Sequence, residues 1–135
     1  MKDYNSQARI DLDFSSQKKI DLNFISKLLN LKADICYQKG ENYKEWGIPK
    51  HSLWKKVMSQ GSAGEELNHN LILIVKQLES IHVKLQEIQE KEISGSITII
   101  VNKEVKDNVG LDLEFSTIKI LSHLGLDLSF NVYDQ

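Results

Sequence analysis

Residues 8–15 have the sequence ARIDLDFS, and this stretch decides the class of fold. The apolar residues Ile10, Leu12 and Phe14 alternate with charged ones. Alternation with a period of two and one apolar side is typical of a half-buried β-strand. The chain therefore contains at least one strand that packs on a core, and its charged residues are expected to form a solvated face.

The same reasoning extends to the rest of the chain. Apolar residues at helical spacing predict helices, and alternating apolar residues predict strands. Residues 40–51 contain two glycines and the single proline, so they are predicted to form a loop. The predicted elements are strand 8–15, helix 22–29, strand 33–38, strand 52–58, helix 65–91, strand 93–102, strand 111–115, helix 116–124 and strand 126–132.

The predicted helix over 65–91 carries the longest apolar stripe. Its apolar residues are spaced by four and three residues, which keeps them on one helical face. A break near Glu79 and Ser80 fits the pattern as well, because two shorter helices satisfy the same spacing.

These elements predict a single α+β domain over 1–135 with the order β-α-β-β-α-β-β-α-β. Short connections between consecutive strands favour an antiparallel sheet with the helices on one face. A weak pseudo-repeat links 10–15 (IDLDFS) to 111–116 (LDLEFS). It reflects either two related halves of the sheet or the generic pattern of a strand followed by a helix and a strand.

Composition narrows the class of protein. The chain has 135 residues and a net charge of −2, which argues against a nucleic-acid coat or a polybasic membrane binder. A single cysteine excludes an internal disulfide. No apolar run is long enough to span a membrane, and the first residues lack the apolar stretch of a signal peptide. We expect a cytoplasmic domain in which residues 1–7 are disordered.

Motifs that carry chemistry are scarce, so we expect no enzyme activity, no cofactor and no metal. The four histidines have no metal-ligand spacing among themselves or with carboxylates. Cys36 lies in a predicted strand between apolar neighbours, where a small buried hydrophobe is the simpler interpretation than a nucleophile.

Two surfaces remain as candidate binding sites. If the first, fifth and sixth predicted strands are neighbours, five carboxylates form one acidic patch that suits a basic protein and repels nucleic acid. These residues are Asp11, Asp13, Asp112, Glu114 and Asp127.

The second surface is segment 39–56, which holds five lysines against two glutamates, a net of +3. Tyr43, Trp46 and Trp54 are interleaved with these lysines. Aromatic residues beside cations can stack on bases or anchor a protein interface. Alternatively, Trp54 packs in the core and the lysines protect an edge strand.

Segments at both ends of the chain carry a family resemblance: FISKLLNL at 24–31, KG at 39–40, SLW at 52–54, GLDL at 110–113 and LSHLGLDL at 121–128. Together they resemble the bacterial family catalogued as domain of unknown function 4279, over Arg9 to Tyr133. The resemblance implies no established activity. Some members resemble small proteins encoded beside bacterial toxins, which implies an immunity role.

The hypothesis from sequence is a non-catalytic immunity protein that occludes a cognate toxin. The partner is expected to be a toxin domain with a basic surface, such as a nuclease of a contact-dependent inhibition or polymorphic toxin system. The contacts are expected from the acidic patch or from Tyr43 and Trp46. One alternative is a nucleic-acid-binding module that uses 39–56, and another is an enzyme with an unrecognised pocket. The sequence leaves the oligomeric state open.

Overall fold

A computed structural model describes residues 6–104 and 106–134 of the chain. These residues form an α+β fold with five strands, four α-helices and one short 3-10 turn at Lys44–Trp46. The elements are β1 (Gln7–Ser16), α1 (Asn23–Leu29), β2 (Ile35–Tyr37), β3 (Ser52–Ser62), α2 (Glu65–Glu79), α3 (His82–Gln89), β4 (Ser94–Lys103), α4 (Phe115–Leu124) and β5 (Leu126–Asp134).

The strands form one sheet in the order β2-β3-β1-β4-β5. The pairs β1–β3, β1–β4 and β2–β3 are antiparallel, whereas β4 and β5 run parallel. The sheet is therefore mixed, and the predicted antiparallel sheet is corrected at this one pair.

The reason lies in the predicted strand over 111–115, which does not form. Leu111 and Leu113 pack against the core, so their alternation is real. However, the backbone N–H of Asp112 donates to the side-chain oxygen of Asn68 instead of to a neighbouring strand. α4 begins at Phe115, and the connection from β4 to β5 becomes a helical crossover of the kind that parallel strands require. The order of elements therefore departs from the predicted one.

The pseudo-repeat is wrong for the same reason. Residues 10–15 lie in the central strand β1, whereas 111–116 span an unpaired connection and the first residues of α4. The two segments share a sequence pattern but have no common structure.

Of the two possibilities left open for 65–91, one continuous helix or two shorter ones, the structure has the two shorter helices. α2 ends at Glu79 and α3 begins at His82. Ile81 has φ −118° and ψ 28°, outside the helical range, so the helix cannot continue through it. Both helices still bury the predicted apolar stripe, which includes Leu71, Leu78 and Leu85.

All four helices contribute to one core on one side of the sheet. Phe14 of β1 and Trp54 of β3 lie at its centre, fully buried, with ring centroids 5.7 Å apart. Gly95 of β4 makes room for Phe14: a Cβ there would lie 2.7 Å from Leu126 and 3.0 Å from the Phe14 ring. A side chain at position 95 therefore requires Leu126 and Phe14 to shift.

The expected disorder of 1–7 does not extend to Ser6 and Gln7. Residues 1–5 lie outside the described residues, but Ser6 is buried and β1 begins at Gln7. No helix among the described residues is long and apolar enough to cross a membrane.

Candidate functional site

The first candidate surface is the face of the sheet opposite the helices, which we call the open face. Strand alternation places Arg9, Asp11 and Asp13 here, because Ile10, Leu12 and Phe14 point into the core. The strand register sets Asp13 opposite Lys55 of β3, and it sets Asp11 opposite Thr98 of β4. The centre of the open face therefore brings together two carboxylates and two cations.

Asp11 is buried on this face. Its two carboxylate oxygens accept hydrogen bonds from Nε and a terminal nitrogen of Arg9, both at 2.9 Å. The Lys55 ammonium lies 3.8 Å from Oδ2, and the Asp11 side chain is 0% exposed. Two cations close over Asp11, so the prediction that it belongs to a solvated acidic face is wrong.

Asp13 lies beside it and is also largely enclosed. Its Oδ2 accepts a hydrogen bond of 2.8 Å from the Thr98 hydroxyl. Its Oδ1 is buried without a hydrogen-bond partner among the described residues, although the Lys55 ammonium is 3.8 Å away. Burial raises the pKa of Asp13, and the Thr98 hydrogen bond and Lys55 oppose that rise. The charges of Arg9, Asp11, Asp13 and Lys55 cancel, so this network offers no acidic contact to a partner.

The three other predicted carboxylates lie elsewhere. Asp112 and Glu114 are exposed in the connection before α4, and Asp112 is tied to Asn68 near the start of α2. Asp127 is exposed on β5, just after the far end of α4. The ten residues of α4 span about 15 Å. The five predicted residues therefore do not form one patch.

Asp112 and Glu114 belong instead to a group of carboxylates that sequence reasoning missed. We define the acidic end as Glu65 and Glu66 in the first turn of α2 together with Glu104, Asp112 and Glu114. Within the described residues, no carboxylate of this group forms an ion pair. The sequence feature that indicates this group is the clustering of acidic residues over 104–114, which the periodicity of apolar residues does not reveal.

Ser6 joins two of the segments that form the acidic end. Its hydroxyl donates to the Asp107 carboxylate and accepts a 2.9 Å hydrogen bond from the Glu104 N–H. Its carbonyl accepts a hydrogen bond from the Ala63 N–H, just before α2. One buried serine thus joins the start of β1, the turn after β4 and the start of α2.

The second candidate surface is an aromatic cluster next to the edge strand β2. The Tyr43 ring lies 5.1 Å from that of Tyr37 and 5.8 Å from that of Trp46, measured between centroids. His51 Nε2 lies 3.2 Å from the Tyr37 hydroxyl. Trp46 is 72% exposed. The structure therefore joins the predicted residues Tyr43 and Trp46, and it adds Tyr37 and His51, which sequence reasoning missed because strand β2 delivers Tyr37 from outside the loop.

The basic character of this segment is weaker than its sequence indicates. The Lys44 ammonium lies over the Tyr43 ring at 5.3 Å, and Lys50 is exposed. Lys55 is bound to Asp11 and Asp13, and Lys56 lies 3.9 Å from Asp34. Trp54 belongs to the core, where its indole N–H donates to the Ser26 hydroxyl at 2.9 Å. Few of these cations remain available for phosphates.

The remaining chemistry is modest. Cys36 is half-buried in β2, and burial first, then Asp21, raises the pKa of its thiol, which disfavours the thiolate. Four surface grooves have volumes of 190 to 380 Å³, and Asp13 lines none of them. The described residues contain no group of three or more histidines, cysteines or carboxylates that could hold a metal ion.

Comparison with known proteins gives one family. No curated protein and no solved structure matches the chain. The model of the family described as "Domain of unknown function (DUF4279)" matches residues 6–135, which is nearly the whole chain. The chain therefore belongs to the DUF4279 family.

Proposed function

We propose that this chain is a non-catalytic cytoplasmic binding protein, an immunity protein that neutralises a cognate bacterial toxin by covering its active surface. The observation that supports this proposal is the acidic end. Its carboxylates carry no ion partners among the described residues. Ser6 fixes two of the segments that bear them, and Asn68 anchors the third through the Asp112 N–H.

Such an end suits a basic partner. Carboxylates without internal partners contribute their full charge to the surrounding field, which speeds encounter with a positive surface. A preformed surface also loses little conformational entropy on binding. A toxin that cuts nucleic acid needs a basic cleft for phosphates, and the acidic end presents charge of the same sign as those phosphates.

The test is rescue from toxicity. The toxin domain encoded next to this gene is expressed in cells with the wild-type chain or with Asp112→Lys/Glu114→Lys. A matched control is Glu87→Lys/Glu90→Lys, which makes the same charge change at two exposed carboxylates outside both the acidic end and β5. We expect rescue by the wild type and by the control, and loss of rescue in the first double variant. Failure of the wild type to rescue, or equal rescue by both variants, contradicts the proposal.

The second candidate function is binding of single-stranded nucleic acid at the aromatic cluster. The observation that favours it is the exposed Trp46 ring beside the Lys44–Tyr43 pair. A salt-dependent gel shift with generic RNA that disappears in Lys44→Glu/Lys50→Glu supports it. These two lysines serve better than Lys55 and Lys56, whose replacement breaks internal ion pairs.

The enzyme alternative requires a groove that contains a carboxylate of raised pKa. Asp13 has a raised pKa, but its cause is burial beneath neighbouring side chains. The Asp13 carboxylate contacts Thr98 and Lys55 within the fold, so its raised pKa supports a structural role over proton transfer to a substrate.

A further inference from the structure

β5 is an unprotected sheet edge. It is nine residues long and last in the strand order, so one side of its backbone has no neighbouring strand among the described residues. The opposite edge, β2, has only three residues. Natural proteins protect long edge strands with lysine, proline or a bulge. β5 contains no lysine and no proline in its sequence LDLSFNVYD. It also has no bulge, because its register with β4 is unbroken.

The residues near this edge are unusually apolar for a solvent-facing surface. Phe130, Val132 and Tyr133 of β5 are 39%, 44% and 57% exposed. α4, which packs on β5, exposes Phe115 and Ile118. Exposed apolar groups that cluster on one edge mark an interaction site more often than isolated ones do.

We propose that β5 pairs antiparallel with β5 of a second copy of this chain, with Phe130 on the two-fold axis. The product is a continuous ten-stranded sheet with all helices on one face. The proposal does not depend on the proposed toxin partner.

The middle of β5 is self-complementary in this register, whereas at the ends Leu126 faces Asp134. Phe130 is the midpoint of Leu126–Asp134, so this register alone pairs all nine residues. Leu128 then faces Val132 of the second copy, and Ser129 faces Asn131. Asp127 faces Tyr133, whose hydroxyl can donate to the carboxylate. Two carboxylates directly opposite each other destabilise a cross-strand pair, and this register contains no such pair.

The same symmetry places both copies of α4 on one side of the joined sheet. Because the helices lie on one face of each sheet, the two copies of α4 flank the two-fold axis on the same side. Phe130 and Val132 face that same side, because they alternate in phase with Leu126, which is buried in the core. A closed two-fold pair also removes the free edge, whereas an open contact would lead to continued growth.

The first experiment measures mass in solution by light scattering after size-exclusion chromatography. We expect twice the 15.5 kDa chain mass for the wild type and the single-chain mass for Phe130→Lys. Leu73→Lys is the matched control, because Leu73 is 52% exposed on α2 and α2 makes no strand edge. We expect the control to stay dimeric. A monomeric wild type from micromolar to millimolar concentration overturns the proposal.

The second experiment tests the register by oxidation in a Cys36→Ser background. Opposed residues of antiparallel strands have Cα atoms about 4.5–5.5 Å apart, within disulfide range. Phe130→Cys is therefore expected to form a covalent dimer. Leu128→Cys alone is not, since the two Leu128 positions lie about 13 Å apart along the strands. Cross-linking of Leu128→Cys at the same rate, or none at position 130, overturns the register.

Discussion

Replacing Arg9 by alanine tests whether the ion network on the open face stabilises the fold. The change removes two hydrogen bonds of 2.9 Å from the fully buried Asp11 carboxylate. Removing one member of a buried ion pair costs about 3–5 kcal/mol. Arg9 is 39% exposed and Lys55 remains 3.8 Å from Asp11, so the cost is reduced. We expect a loss of about 2–3 kcal/mol in the free energy of unfolding.

The assay is urea unfolding followed by tryptophan fluorescence, since Trp54 is buried in the core. For a chain of this length the loss corresponds to a fall in Tm of roughly 10 °C. Arg9→Lys keeps the charge but loses the two-pronged geometry, so it is expected to recover only part of the stability. The double variant Arg9→Met/Asp11→Leu removes both charges and is expected to lie closer to the wild type than Arg9→Ala. A loss below about 0.5 kcal/mol for Arg9→Ala would show that the network is energetically silent.

Three further predictions concern single residues. Burial raises the folded-state pKa of Asp13, so the wild type loses stability as pH rises from 3.8 through that folded pKa. Asp13→Asn is therefore expected to be more stable than the wild type at pH 7 and to lose this advantage below pH 3.8. Urea unfolding of both proteins across this pH range measures the difference. Gly95→Ala is expected to lower the free energy of unfolding, measured with denaturant, by about 1–3 kcal/mol, because the added Cβ lies 2.7 Å from Leu126. A variant as stable as the wild type would contradict the packing described for Gly95. Ser6→Ala leaves the Glu104 N–H without its acceptor, so it is expected to lower the free energy of unfolding by about 1–2 kcal/mol and to speed amide exchange at Glu104. Unchanged exchange at Glu104 would rule out the role given to Ser6.

Much of the fold follows from periodicity, because side-chain burial repeats every two or 3.6 residues. This locates β1, α1, β4 and α4 to within one or two residues. Periodicity fails over 111–115, since alternation records which side chains are buried and not what the backbone bonds to. Leu111 and Leu113 are partly buried as expected, but no strand of the described part of the chain pairs with them.

The candidate site was less predictable. Asp11 and Asp13 alternate with core residues, and this pattern indicates a polar face of the sheet. The pattern does not indicate that Arg9 and Lys55 lie across the carboxylates and bury them. The proximity of Tyr43 and Trp46 follows from their spacing within one short loop. Tyr37 and the link of Ser6 to Asp107 depend on contacts between distant segments, which no local pattern encodes.

The parallel placement of β5 has a consequence for how the chain folds during synthesis. β1, β3 and β4 pair through segments that leave the ribosome first, but β5 can join only after α4 has formed and folded back. Until then, the outer edge of β4 and the apolar side chains of Ile97, Ile99 and Val101 lack their neighbour. A chain cut short before residue 126 is therefore expected to be aggregation-prone, because β5 is the strand that covers the outer edge of β4.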